Sequence, residues 1–297
     1  FRTLQSGLNT GKIVVRIATR QMAAVDGGHI VTGGTSGLGL LTGRWLAQRG
    51  ARFLALASRS GALARDGADE WEAIGATSVA TSLEQCDTSE TAHVHRLVPR
   101  VPLLTGAWHA AGVLADAVLP KQDALALGRV YAPKAHGAWS LHAATVAIGM
   151  RSVALFSSVA ALLGGAGQAN YAAANACLDA LASYRHAQGA SAASVQWGAW
   201  AEVGMAARGA ASERMAAMEA ASGFGRIGLA QGLSALGTAT RQSAPSVLGV
   251  VPLVWSRFLG RSGAAAAAFL AAFASKGKDV VVIGASSAQA TCSVSLD

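Results

Sequence analysis

The stretch HIVTGGTSGLG, residues 29–39, decides how this chain folds. A short apolar run ends in a glycine pair. A helix-patterned segment, LGLLTGRWLAQRG, then runs to Gly50. Glycines 33, 37 and 39 would let the backbone approach a pyrophosphate at the N-terminus of that helix. Any tight strand-to-helix turn also uses glycine, so the position between a strand and a helix is what gives the pattern its meaning. Working outward, RFLALASRSG, SVATSLEQCD, LTGAWHAAG, RSVALFSSVA and ASVQWGAW read as five further strands. Between them lie LGRVYAPKAHGAWSLHAAT, a helix expected to break near Pro133 and resume, and NYAAANACLDALASYRHAQG, a long helix ending at Gly189. Alternating strands and helices predict an α/β fold, a doubly wound parallel sheet of Rossmann type in one domain over residues 26–260.

Composition narrows the class. At 297 residues the chain can bury a substantial core. No unbroken apolar stretch reaches the roughly 18 residues of a membrane span, and the N-terminus lacks the pattern of a signal peptide. It begins at Phe1 without methionine and is expected to be cut from a longer polypeptide. Cys86, Cys177 and Cys292 are widely spaced and suggest neither a disulfide framework nor zinc, which suits the cytoplasm or another reducing compartment. The net charge of +8 points to anionic partners. Its arginines are scattered without basic runs, so a phosphate-rich cofactor or an acidic partner protein is expected rather than nucleic acid. His93 and His95 form H-x-H on an expected surface helix with no third ligand near, so no metal site is expected. His109, beside the expected cleft, is read as giving a backbone contact.

The ends of the strands carry the chemistry. Where a carboxylate would hold a ribose 2′-hydroxyl, the second strand ends in Ser58-Arg59-Ser60. A cation and two hydroxyls suit a 2′-phosphate, so NADPH is expected over NADH. Asp87 follows the third strand, placed either to accept from an adenine amino group or to cap the helix after it. Ser157 and Ser158 end the fifth strand, and Tyr171 and Asn175 share one face of the next helix. Lys134 lies on the preceding helix. Carbonyl reduction needs a hydride donor, a proton donor and a group that polarises the carbonyl. Tyrosine is the natural acid, with an ordinary pKa of about 10. A nearby Lys⁺ would ease its proton release, and a serine hydroxyl can hold the carbonyl oxygen.

TGGTSGLG, FSSVA and the tyrosine helix resemble the short-chain dehydrogenase/reductase superfamily. Most of its members carry Y-x-x-x-K, whereas this chain has Tyr171-Ala-Ala-Ala-Asn175. The superfamily's usual asparagine corresponds to Lys134 in APKAHGAWSLH. That exchange, with SRSG, HAAGVL, FSSVAALLG, GQANYAAANACLDALA and WGAWAEVGMA, resembles the ketoreductase domains of modular polyketide synthases. The resemblance implies NADPH-dependent reduction of a carrier-bound β-ketoacyl thioester.

Residue by residue, the resemblance makes Tyr171 the proton donor and has Ser158 bond the keto oxygen. Lys134 tunes Tyr171, and Asn175 orients Lys134 or a water. It sets Gly33, Thr35, Ser36, Gly37 and Leu38 against the cofactor, with Ser58, Arg59, Ser60, Cys86, Asp87, Ala110 and Ala111 around them and Lys134 and Tyr171 at the nicotinamide end. WGAWAEVGMA would lead into a mobile lid, while Trp197 itself is expected in the core. Leu163 stands where one stereochemical group carries tryptophan, and Leu114-Ala115-Asp116 is a degraded form of the opposite group's L-D-D, so a B-type, D-configured alcohol is expected. FRTLQSGLNTGKIVV, within residues 1–25, resembles the end of an enoylreductase domain; residues 261–297 are expected to link towards an acyl carrier domain. Partners implied are that carrier, with its phosphopantetheine arm, and other domains of the same synthase. A free-standing short-chain 3-oxoacyl reductase and a silent structural domain are the competing readings. Silence would be marked by loss of Tyr171, Ser158, Lys134 or the glycine loop, and all are present.

Overall fold

The computed structural model describes residues 25–204, 223–241, 243–261 and 270. The tail expected before Val25, the lid expected after Gly204 and nearly all of the expected linker at 261–297 lie outside them. The strands are β1 (Gly28–Thr32), β2 (Phe53–Ser58), β3 (Ala80–Gln85), β4 (Leu104–His109), β5 (Ser152–Ser158), β6 (Ala193–Trp197) and β7 (Val247–Val250). They form one parallel sheet in the order β3-β2-β1-β4-β5-β6-β7. The helices are α1 (Gly37–Ala47), α2 (Ala68–Gly75), α3 (Thr91–Leu97), α4 (Ala124–Tyr131), α5 (Gly137–Thr145), α6 (Ala160–Leu163), α7 (Ala169–Ala187), α8 (Leu229–Ala239) and α9 (Trp255–Arg261).

Strand period sorts the core into two layers. Leu54 and Leu56 of β2, Trp108 of β4, and Phe156 of β5 face one side, where Leu40, Leu41, Trp45 and Leu46 of α1 and Leu236 of α8 cover them. The alternate residues face the other side. Ala55 and Ala57 meet Val94 and Leu97 of α3 and Leu141 of α5, while Val153 and Leu155 meet Leu178 and Leu181 of α7. Central strands buried on both faces read as continuous apolar runs, which is why β2 and β5 are plain in the sequence. Strand order reverses between β1 and β4, and a crevice for a ligand opens there at the carboxyl ends.

Three features depart from the sequence-based expectation. A seventh strand, β7, extends the sheet, with Val250 opposite Trp197. It is four residues long, contains Gly249 and lies at the sheet's margin, so its pattern carries little signal. α8 is a second unexpected element; Trp200 packs its ring on Gly232 there, where a Cβ would collide with it. Finally, the helix does not break at Pro133. The chain passes from α4 to α5 through a π-helical turn, Ala132–His136. Proline has no N–H to give, and the widened turn absorbs that loss while the helix runs on. Among the described residues no helix is long and apolar enough to cross a membrane.

α7 carries much of the layer under β5 and β6. Leu178 at its middle is fully buried with Val153, Leu155 and Ala182. Leu178→Ala is expected to cost about 2–5 kcal/mol of stability, measured by denaturant unfolding, because the rigid sheet cannot collapse into the void.

Candidate active site

The glycine turn leaves β1 at Thr32 and enters α1 at Gly37. Gly37 has φ +48, and a Cβ there would face open space, with Gly204 Cα the nearest atom at 3.8 Å. Gly39 is needed for the opposite reason: a Cβ would run into the carbonyl of Gly33. The N-cap residue Ser36 makes no side-chain cap, so the first amides of α1 are left to an incoming group. An open glycine cradle at an uncapped helix start fits a cofactor pyrophosphate. Thr35 is buried, and its carbonyl accepts from Ala64 N–H at 3.0 Å. Leu38 lies 3.6 Å from the Cβ position of Gly204.

The neighbouring strand ends supply the rest of the cradle. Arg59 is exposed directly after β2 and, among the described residues, makes no ion pair. Ser58 Oγ accepts from Gly61 N–H at 3.1 Å, and the Ser58 and Ser60 hydroxyls lie 3.3 Å apart, so both shape the turn that presents Arg59. Cys86 is buried, its N–H donating to Ser58 O at 2.8 Å, and burial pushes its thiol up to about 11. Asp87 Oδ1 accepts from the Ser89 N–H at 3.0 Å and its hydroxyl at 2.7 Å. Asp87 Oδ1 thus closes a local turn ahead of α3, but the N-cap of α3 is Glu90, so Asp87 does not cap that helix as one reading expected. Ala110 N–H donates to Thr32 O at 3.1 Å, and the Cβ position of Gly33 is 3.0 Å from Ala111 N, so these alanines close against the glycine turn.

The four groups expected to be catalytic converge beyond β5. Lys134, in the π-helical turn, is 4% exposed, and its Nζ donates to Phe156 O at 2.9 Å. The same Nζ lies 5.3 Å from the ring centroid of Tyr171. Tyr171 is in the first turn of α7 and is 9% exposed. Asn175, fully buried, donates from Nδ2 to Tyr171 O at 2.8 Å, and its Oδ1 is buried without a protein partner. That orphan acceptor suits an ordered water or a cationic donor. Ser158, at the end of β5, accepts from Ala160 N–H at 3.2 Å, and its hydroxyl acts to lower the Tyr171 phenol. Ser157 points away, donating to Asn175 O at 3.3 Å.

Burial dominates the protonation of this pair. It lowers Lys134 from the ordinary 10.5 to about 7, opposed by the charge of Asp179. Asp179 is held on α7 by Ser194 Oγ at 2.6 Å and Gln196 Nε2 at 2.8 Å. Burial also raises the Tyr171 phenol, with Asn175 and Ser158 pulling it back down and Asp116 pushing it up. Burial is therefore the largest influence on the Tyr171 phenol.

His109 has a larger part than its sequence reading gave it. It is 1% exposed, with Nε2 bonded to Lys134 O at 3.0 Å and Nδ1 to Thr32 Oγ1 at 2.8 Å. A carbonyl only accepts, so Nε2 carries the proton, Nδ1 accepts, and Thr32 donates. Burial and Lys134 lower His109 to about 4, keeping it neutral. Its side chain, not its backbone, pins the Lys134 turn to β1 and β4. Only its place in WHAAG, at the end of a central strand, hinted at this. Leu163 is half-buried at the end of α6, and Asp116 is exposed on the loop after β4, where Gln168 Nε2 donates to it at 3.2 Å. Trp197 ends β6 and packs on Phe156 and Trp200, in the core as expected. His93 Nδ1 accepts from Asp87 N–H at 3.2 Å, and among the described residues no cluster able to hold a metal occurs.

Comparison with known proteins bears on this site. The family model described as KR domain matches residues 27–202. The chain is 41% identical over 238 residues to polyketide synthase GfsB of Streptomyces halstedii, covering 79% of this chain and 4% of that protein. It is 42% identical over 211 residues to spectinabilin polyketide synthase system protein NorB of Streptomyces orinoci, covering 69% and 10% respectively. A solved structure of A-type ketoreductases from a modular polyketide synthase superposes with a TM-score of 0.76 at 32% identity, over 84% of this chain and 52% of that one. The first ketoreductase of the tylosin synthase gives 0.72 at 35%, over 82% and 53%. The chain thus spans a small fraction of these curated relatives and about half of these solved chains.

The buried lysine makes a pH prediction. Between about 7 and 10.5 the unfolded chain binds this proton more readily than the folded one. The contribution of Lys134 to stability therefore rises with pH across that window and is flat below it. Lys134→Met is expected to be more stable than the parent at pH 7, by at most about 5 kcal/mol. The difference should shrink towards pH 10, as followed by denaturant midpoints of both proteins. Parallel pH curves would refute this.

Proposed function

The chain belongs to the KR-domain family, and we propose that it reduces a β-ketoacyl thioester to a β-hydroxyacyl thioester with NADPH during polyketide assembly. The observation that carries this reading is the buried meeting of Lys134 and Tyr171 across the π-helical turn and α7, with Ser158 and Asn175 beside them. When bound, NADPH supplies the hydride for the keto carbon. Ser158 holds the carbonyl oxygen by a hydrogen bond that strengthens as negative charge develops there. Tyr171 gives its phenolic proton to that oxygen. A phenol raised by burial stays protonated until the oxygen becomes basic enough to take the proton. Lys134, near 7, can gain or lose a proton at working pH, and its partial charge grows in value as Tyr171 becomes anionic. Asn175 Oδ1 is free to accept from the Lys134 ammonium or from a water that orients it.

The finer parts of the proposal rest on single features. Arg59, exposed where the ribose 2′-position would lie, supports NADPH over NADH. Leu163 in place of tryptophan, with Asp116 retained, supports the B-type, D-configured alcohol. The net charge of +8 supports an acidic acyl carrier domain as the deliverer of the chain on its phosphopantetheine arm. Residues 1–25 as the end of a preceding domain, 26–260 as the reductase and 261–297 as a linker complete the proposed organisation.

The decisive measurement follows NADPH consumption with a β-ketoacyl N-acetylcysteamine thioester and resolves the product enantiomers. Turnover to the D-alcohol is expected, and Tyr171→Phe should lower kcat by about 10²–10⁴-fold. No turnover by folded protein, even with an upstream ketoreductase segment supplied, would sink the reading. Arg59→Ala should raise KM for NADPH about tenfold or more and leave KM for NADH nearly unchanged.

A further inference from the structure

The loop after β4 touches both halves of the candidate site. At one end, the Cβ position of Gly112 lies 2.8 Å from Lys134 Cε. At the other, Ala115 packs against the cluster of Val130, Ala160, Tyr171 and Ala174. One side chain joins this loop to α7. Asn170, 3% exposed, donates from Nδ2 to Ala115 O at 2.9 Å and accepts the Tyr171 N–H on Oδ1 at 2.7 Å. We propose that Asn170 is a positioning residue, a clasp that fixes the loop at residues 115–117 to the first turn of α7 so that the substrate-facing loop and Tyr171 are held as one unit.

The chemistry of the two bonds selects asparagine. α7 begins at Ala169, so the Tyr171 N–H is in the first turn and has no acceptor within the helix. It needs an acceptor from outside the ladder, while Ala115 O needs a donor. A side-chain amide offers both, neutral at every working pH, and its two partners fix which end is oxygen. Aspartate can serve the first partner but not the second, and alanine serves neither. The surrounding bonds depend on the same closure. Ala117 N–H donates to Gly167 O at 2.9 Å, and Gln122 Nε2 donates to Ala117 O at 2.9 Å. Outside them, Gln168 Nε2 reaches Asp116 Oδ2 at 3.2 Å. Asn170 is the buried member of this set and the one bonded to both the loop and the backbone of Tyr171. In the sequence it is hidden beside the more conspicuous tyrosine.

The inference rests on Tyr171 as proton donor, and two readouts keep the two ideas apart. The first is amide hydrogen exchange on the full chain, without cofactor or substrate. Asn170→Ala should expose the amides of Tyr171 and Ala117, whereas Asn170→Asp should keep Tyr171 protected and expose Ala117. Unchanged protection of Ala117 in both variants overturns the clasp. The second is steady-state kinetics well below the unfolding temperature of each variant. Asn170→Ala should lower kcat by about tenfold to a hundredfold, as for a misplaced acid. Asn170→Asp should keep more of kcat and share with Asn170→Ala a raised KM and a loosened product enantiomer ratio. Exposed Ala117 with parental kcat, KM and enantiomer ratio would overturn the positioning role. Parental turnover by Tyr171→Phe would instead overturn the proton-donor reading and leave the exchange result standing.

Discussion

The burial of one amine sets the terms for the rest of the structure. Lys134 Nζ is held by a hydrogen bond to the carbonyl of Phe156 at 2.9 Å, near the end of β5. Keeping a lysine there is unfavourable unless the group gives up charge or finds a partner, and this one falls to about 7. Its neighbours are shaped to admit it. Gly112 leaves room beside its stem, where a Cβ would press on Cε. A second glycine, Gly137, leaves room for Thr88 and His109 under the next turn. His109 then ties the Lys134 carbonyl to β4, and Thr32 ties His109 to β1. The π-helical turn is the backbone's part in this arrangement, since it carries Lys134 past a proline that would otherwise end the helix.

The alanines around Tyr171 serve the same end. Ala174 is fully buried against Val130 and Ala160, and its small side chain lets α7 lie close to α4 and α6. Close packing brings the phenol within 5.3 Å (centroid) of the amine on a different helix. Leu178 and Leu181, further along α7, anchor it to β5. Asp179 holds it to β6 through Ser194 and Gln196 and reaches Lys134 through its charge. One helix therefore carries Tyr171 at its start and supports the amine's charge two turns later.

Much of this was legible in the sequence. The glycine turn, the first six strands and the sharing of one face by Tyr171 and Asn175 follow from local spacing, and local spacing is what a chain displays openly. The exchange of lysine and asparagine between two helices was legible through family resemblance. Other parts were not. β7 and α8 come after Gly204, where short runs and glycines carry little period. The smooth passage through Pro133 depends on a widened turn that no residue pattern announces. Asp87 looked ready to cap the next helix, but α3 starts with Glu90 as its N-cap and Asp87 instead bonds to Ser89. His109 and Asn170 are single polar residues whose partners lie 25 and 55 positions away, a separation that periodicity does not reach.

By itself the sequence determined the order of the first six strands, the glycine turn between strand and helix, and the pairing of Tyr171 with Asn175 on one helix face. These depend on residue type and short spacing, which are fixed before the chain folds. The tertiary structure decided how Lys134 and Tyr171 are protonated and held. Lys134 acquires its depressed pKa only when Phe156, His109 and Gly112 close over it and exclude water, and Tyr171 acquires its raised one in the same enclosure. Desolvation is a property of the packed assembly, so the chemistry of the pair had to wait for contacts between segments far apart in the chain.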